Sequence, residues 1–346
     1  MDPYTKFIQA GGFSKVENLG LFLDYIMTFA RPGSNFGGAG AVIVAIIFFF
    51  LLNALYRNGL VFGAPNGTPL RAVWMWDDND VKQAPGKFLS SQVVADPVPY
   101  LKWAKARGVN RTWIDLINVV GKTQAVWTFL TLAKKQAMQT QFLFASTGSA
   151  DLAGPGAKEM DDIFKLLLKL DKSLWPTALQ TNYETGLLVG GTDAKKAFEA
   201  HKMFKTKLDA FNAANGSVIG LTASVLYWWY NYEPGGNPPK VAGKDYGLAL
   251  LELGVDVTVQ DYRDPPEWTI LPAKKWCELA GALGRQAWIG LLVGPGTTGG
   301  NVHAYAKDMW NLEPDLSDIA KACIDKPGFS GVAVHTAYYY GKETPT

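Results

Sequence analysis

The chain has few of the residues that most often announce a chemistry. Among 346 residues there are two cysteines, Cys277 and Cys323, and three histidines, His201, His303 and His335. Two cysteines so far apart exclude a disulfide-stapled scaffold and the paired-cysteine patterns of zinc modules, leaving two buried free thiols as the expectation. The dispersed histidines contain no HExxH spacing, so no metal centre is expected. Charge is scarce as well: charged residues make up 18% of the chain, and the formal net charge is +2. No basic stripe accompanies that balance, which excludes nucleic acid as an expected partner. The loop after the first apolar run lacks GxGxxG, no flavin or nicotinamide motif occurs, and no cofactor is expected.

Apolar and aromatic residues are plentiful: 48% of the chain is hydrophobic, with 12 Trp, 14 Tyr and 18 Phe. Residues 39–52 read AGAVIVAIIFFFLL without a polar side chain. With its flanks, 37–57 reaches the length that crosses about 30 Å of hydrocarbon, and Tyr56 and Arg57 suit headgroup anchoring. The run begins too late for a cleaved signal peptide. These features predict a single-pass membrane protein with the lipid bilayer as partner, a buried helix being the competing reading. Sequons at Asn66, Asn110 and Asn215 point weakly to a luminal or extracellular domain. The expected layout is an amphipathic membrane-proximal segment over 1–36, a transmembrane helix over 37–57, a linker over 58–70 and a barrel domain over 71–340.

From Arg71 onward, apolar runs alternate with helical periodicity. Strands are expected at 72–76, 112–118, 141–145, 177–180, 218–221, 255–260, 287–292 and 332–335. Helices fall between them, as where Ile163, Leu166, Leu167 and Leu170 share one face. Eight rounds predict an α/β fold, a (β/α)8 TIM-like barrel preceded by the hydrophobic transmembrane helix. A doubly wound open sheet competes, but it calls for fewer strands and a phosphate-binding first loop, where this chain has Asp77-Asp78-Asn79-Asp80. Residues 248–253 fit either a strand or a helix.

A barrel builds its site at the C-terminal ends of its strands. The acids expected there are Asp77, Glu184 and Asp261, with Glu184 as acid/base, Asp261 as nucleophile or electrostatic partner, and Asp77 orienting either. Substrate contacts are expected from Trp76, Asp78, Asn118, Asn182, Trp228, Trp229, Tyr262 and His335, the aromatic rings offering flat platforms to sugar faces. Asp115, out of phase with Ile114 and Leu116, reads as a helix-facing structural contact, and His201 as an outer helix residue.

Over Ala72 to His335 the layout resembles barrel glycoside hydrolases, which implies glycosidic cleavage by a carboxylate pair. The group with glutamates after strands four and seven carries Asn-Glu at the first site. Here the chain reads Asn182-Tyr183-Glu184, and strand seven runs into Gly294-Pro295-Gly296 without a carboxylate. Acids after strands four and six, another pattern among sugar-cleaving barrels, keep Glu184 and Asp261. The leading expectation is therefore a membrane-anchored carbohydrate-active barrel that hydrolyses glycosidic bonds. Two alternatives stand beside it, so whether the chain is an enzyme stays open. One is a non-catalytic structural protein with protein partners in a membrane or virion assembly. The other is a phosphosugar-binding barrel enzyme using the glycine-rich stretch 294–300, with His303 and His335 as acid/base groups.

Overall fold

The computed structural model describes residues 70–76, 88–144, 153–182, 191–230, 237–262, 266–293 and 309–340. Eight strands carry the architecture: β1 Arg71–Met75, β2 Arg111–Asp115, β3 Gln139–Phe144, β4 Ala178–Thr181, β5 Gly220–Leu226, β6 Asp256–Gln260, β7 Ala287–Leu292 and β8 Phe329–His335. All neighbours pair in parallel, and β8 returns to β1 through Arg71–Val332 and Val73–Val334, so the sheet closes. A two-stranded antiparallel hairpin, Lys240–Val241 with Lys244–Asp245, lies outside the barrel sheet.

Parallel neighbours need long crossovers, and helices supply them. In chain order these are α1 Ser90–Ala95, α2 Pro97–Ala106, α3 Thr123–Lys135, α4 Ala153–Leu167, α5 Gly191–Asn215, α6 Tyr246–Glu252, α7 Pro266–Ala282, α8 Met309–Cys323 and α9 Ala337–Tyr340. Residues 248–253, open between strand and helix, fall in α6 and its C-cap. Pro97 opens α2, where its missing N–H costs nothing and its fixed φ suits the first turn.

Side chains on a strand alternate between two faces, and here the faces enter two separate cores. Val73, Met75, Ile114, Phe142, Leu179, Val225, Val257, Ile289 and Val334 join the buried cluster that the helices cover. Ala72, Trp74, Trp113, Leu143, Trp288 and Ala333 form a second cluster inside the barrel. Where the chain closes, Arg71 Nη1 sits 2.7 Å from Glu313 Oε2 and donates to the Tyr340 hydroxyl at 3.1 Å. The Tyr340 hydroxyl in turn donates to Glu313. This group ties β1, α8 and α9 together.

The expected fold class needs one correction. The closed parallel barrel is present, but no helix among the described residues is long and apolar enough to cross a membrane. The longest, α5, has 25 residues and would span by length alone. It carries Lys195, Lys196, Lys202, Lys205 and Lys207, and hydrocarbon does not solvate such a face. The segment 37–57 lies outside the described residues. No described helix therefore supports a single-pass membrane localisation or the bilayer as partner.

His201 is also corrected. It is fully buried, not on the outer face of α5. Its Nδ1 lies 2.9 Å from the Ala197 carbonyl and 3.1 Å from the Tyr246 hydroxyl.

Candidate functional site at the barrel mouth

The barrel interior is divided into two unlike halves. On the side of β1, β2, β7 and β8, three indoles fill the space. Trp74 and Trp113 lie 4.5 Å apart by ring centroid, and Trp113 meets Trp288 edge-on at 5.3 Å. Arg111 stacks its guanidinium 4.5 Å from the Trp288 ring. Two glycines make the room. A Cβ on Gly290 would stand 2.8 Å from the Trp74 ring, and one on Gly331 would stand 2.7 Å from the Trp288 ring. Gly331 also has φ +146, which an L side chain rarely adopts.

On the side of β4, β5 and β6 the inner face is polar. Register places Gln180 beside Thr222, Ser224 beside Thr258 and Gln260 beside Gly290. Gln180 donates to the Ser224 hydroxyl at 3.0 Å, and Gln260 donates to Asn182 Oδ1 at 3.3 Å. Among the described residues, the buried side-chain atoms without a hydrogen-bond partner include Gln180 Oε1 and Thr258 Oγ1 in this polar half and Trp74 Nε1 across the interior in the indole half. A buried donor or acceptor left unmatched costs about 1–3 kcal/mol, so these atoms of the barrel interior require an explanation.

Above this layer, at the C-terminal ends of the strands, Trp76 donates its indole N–H to His335 Nε2 at 3.0 Å. An indole nitrogen can only donate, so Nε2 is the unprotonated nitrogen and the neutral ring carries its proton on Nδ1. The Tyr262 ring lies 6.0 Å from the His335 ring, and Trp74 approaches it edge-on at 5.6 Å. Asp115 enters the same region, because it shares the face of Trp113 and registers with Leu143. It is 6% exposed and accepts the Ile117 N–H at 3.0 Å.

Of the expected site residues, Trp76, Tyr262 and His335 come together, and Asn182 joins through Gln260. Asn118 is exposed in the turn after β2. Asp261 lies at the mouth end of β6, fully buried, with its N–H bonded to the Gly290 carbonyl at 3.1 Å. Trp229 is corrected: it is fully buried, 5.1 Å from Tyr246 in the core beneath the helices, and offers no platform. Trp228 is half-buried against it. Asp77, Asp78, Glu184, His303 and the stretch 294–300 lie outside the described residues.

Asp115 is the residue that parity misassigned. The alternation is right, but the apolar positions of β2 serve the helices, so the polar ones look inward. Gln180, Ser224, Thr258 and Gln260 carry the same signal, a polar residue at every second place of an otherwise apolar strand. Among the described residues, no group of three or more His, Cys, Asp or Glu is arranged to hold a metal ion.

The membrane-anchored glycosidase expectation is overturned. Its anchor has no counterpart among the described helices, and its Asp261 is sealed from solvent.

No family model and no curated protein matches the chain. Solved structures that resemble it include a GH18 chitinase from Pseudoalteromonas aurantia, at 9% identity and TM-score 0.49 over 77% of this chain and 93% of that one. A deoxyribose phosphate aldolase from Aeropyrum pernix follows at 9% identity and TM-score 0.43, covering 82% and 92%. A D-psicose 3-epimerase crystallised in the presence of D-fructose shows 12% identity and TM-score 0.40, covering 77% and 84%. Likenesses this distant carry no argument about chemistry, and the fold of this chain rests on its own closed strand order.

Proposed function

We propose that the barrel takes a small polyhydroxylated ligand, a monosaccharide or its phosphate ester, into its C-terminal mouth, where His335 exchanges a proton with it. The observation that carries this reading is the set of unmatched buried atoms, Trp74 Nε1, Gln180 Oε1 and Thr258 Oγ1, below the His335–Trp76 pair. One donor, one acceptor and one hydroxyl that can act as either complement a ligand bearing several hydroxyls. Trp76 and Tyr262 supply flat apolar faces for the C–H side of a sugar ring. The groups that would meet the ligand are mainly amides, hydroxyls and rings, a set that favours hydroxyl recognition over charge pairing. The Nε2 lone pair of His335 is engaged by the Trp76 N–H, which leaves the proton on Nδ1 as the one it gives to the ligand and takes back.

Calorimetric titration of the full chain with a panel of monosaccharides and their phosphates tests this. One class binds, and Gln180→Leu weakens it about 10-fold, the equivalent of one well-made hydrogen bond. His335→Gln leaves binding largely intact and abolishes any isomerisation or epimerisation seen by NMR. The reading fails if no member of the panel binds, or if binding is indifferent to Gln180→Leu.

A further inference from the structure

Cys277 lies in α7 and Cys323 is the last residue of α8, and both are fully buried free thiols. Distant in sequence, they are brought together by independent contacts. Lys326 Nζ lies 3.1 Å from Glu278 Oε1, and the Lys326 N–H donates to the Cys323 carbonyl at 2.8 Å. The turn after α8 closes directly on α7. A Cβ on Gly328 would stand 2.4 Å from the Cys277 carbonyl oxygen, and one on Gly281 would stand 2.5 Å from the Pro327 ring. Each thiol shifts the other's titration, Cys277 upward and Cys323 downward.

We infer that Cys277 and Cys323 form a dithiol modification site that closes to an intrachain disulfide when a peroxide reaches it. The Cys323 sulfur attacks one peroxide oxygen, the O–O bond breaks, and the thiol proton leaves with the departing hydroxide as water. Cys277 sulfur then attacks the resulting sulfenic sulfur. The S–O bond breaks, the Cys277 proton leaves with that hydroxide as a second water, and the S–S bond remains. Two thiols are oxidised and one peroxide is reduced to two waters.

The order follows from the local chemistry. The hydrogen bond with Cys277 holds the Cys323 thiol below its ordinary range, with Lys274 and Lys326 assisting and burial and Asp325 opposing. The same bond, with burial, raises Cys277. Cys323, which ends α8 with its carbonyl bonded to the Lys326 N–H, attacks first, and Cys277, inside α7, resolves it. The bond would staple α7 to α8 just before β8, at the end of the barrel away from the mouth.

The test is peroxide treatment of the full chain, followed by unreduced proteolysis and mass spectrometry. A single cross-linked peptide pair containing 277 and 323, released by dithiothreitol, is expected. Cys277→Ser should strand Cys323 as a sulfenic acid that dimedone traps. Over-oxidation without a cross-link, disulfides only between chains, or thiols unchanged where free cysteine is fully oxidised would each overturn the inference.

Discussion

Lowering the pH from 6.5 to 4 is expected to remove about 3 kcal/mol of folding stability through one residue, His201. Burial holds this imidazole down to about 4, against an ordinary value of 6.5, while its contact with the Ala197 carbonyl partly opposes the shift. The folded state keeps His201 neutral over a range in which the unfolded chain binds a proton. The stabilisation is therefore complete above about pH 6.5, lost progressively below it, and gone near the folded value. Urea unfolding of wild type and His201→Gln across this range measures it. The variant should be weaker at neutral pH, where it disturbs the packing against Tyr246, yet show a flatter decline. Asp162, Asp171 and Glu278, whose carboxyls are all lowered by hydrogen bonds to neighbours, add acid sensitivity at lower pH to both proteins alike. Parallel pH profiles for the two proteins would count against a neutral buried His201.

Trp113→Ala should cost about 3–5 kcal/mol, the range for emptying a buried indole site. The ring is fully buried between Trp74 and Trp288, and its N–H donates to Gln141. Truncation opens a void at the centre of the barrel and strands the Gln141 acceptor, so transfer and desolvation terms add. Neighbouring indoles cannot collapse into the gap, because Gly290 and Gly331 already bring the β7 and β8 backbones as close as Trp74 and Trp288 allow. A fall of roughly 10 °C in Tm is expected for a domain of this size, with Trp113→Phe retaining more than half of the stability. A loss under about 1 kcal/mol would mean that the interior indoles do not pack as a unit.

The strand count was legible in the sequence because closure leaves eight apolar runs at helix-spaced intervals. Boundaries shifted where propensity and pairing disagree: β5 begins at Gly220 and extends to Leu226, beyond the apolar run at 218–221. The facing of the strands was not legible. Ile114 and Asp115 alternate correctly, but nothing local says which alternate looks toward helices and which into the barrel. The same limit hid Gln180 and Thr258, whose significance exists only when β4, β5 and β6 stand side by side. Trp229 read as a rim platform because an aromatic run after a strand has the same composition whether it meets ligand or α6. His201 and Tyr246 meet across distant elements, as do Cys277 and Cys323, and no spacing rule joins such pairs. The apolar run at 39–52 shows the opposite failing: hydropathy alone led to an anchor that no described helix supports.

If the polar half of the interior is kept unmatched for a ligand, Thr258→Val separates folding from binding. Valine nearly conserves the volume and removes only the buried hydroxyl that has no partner among the described residues. Stability of the free protein and calorimetric affinity for the best sugar or sugar phosphate are measured on the same preparation. Stability equal to wild type or up to about 1 kcal/mol higher is expected, together with an affinity about 10-fold lower. A variant that is less stable yet binds with unchanged affinity would show that the hydroxyl serves the fold and that the ligand, if any, lies elsewhere.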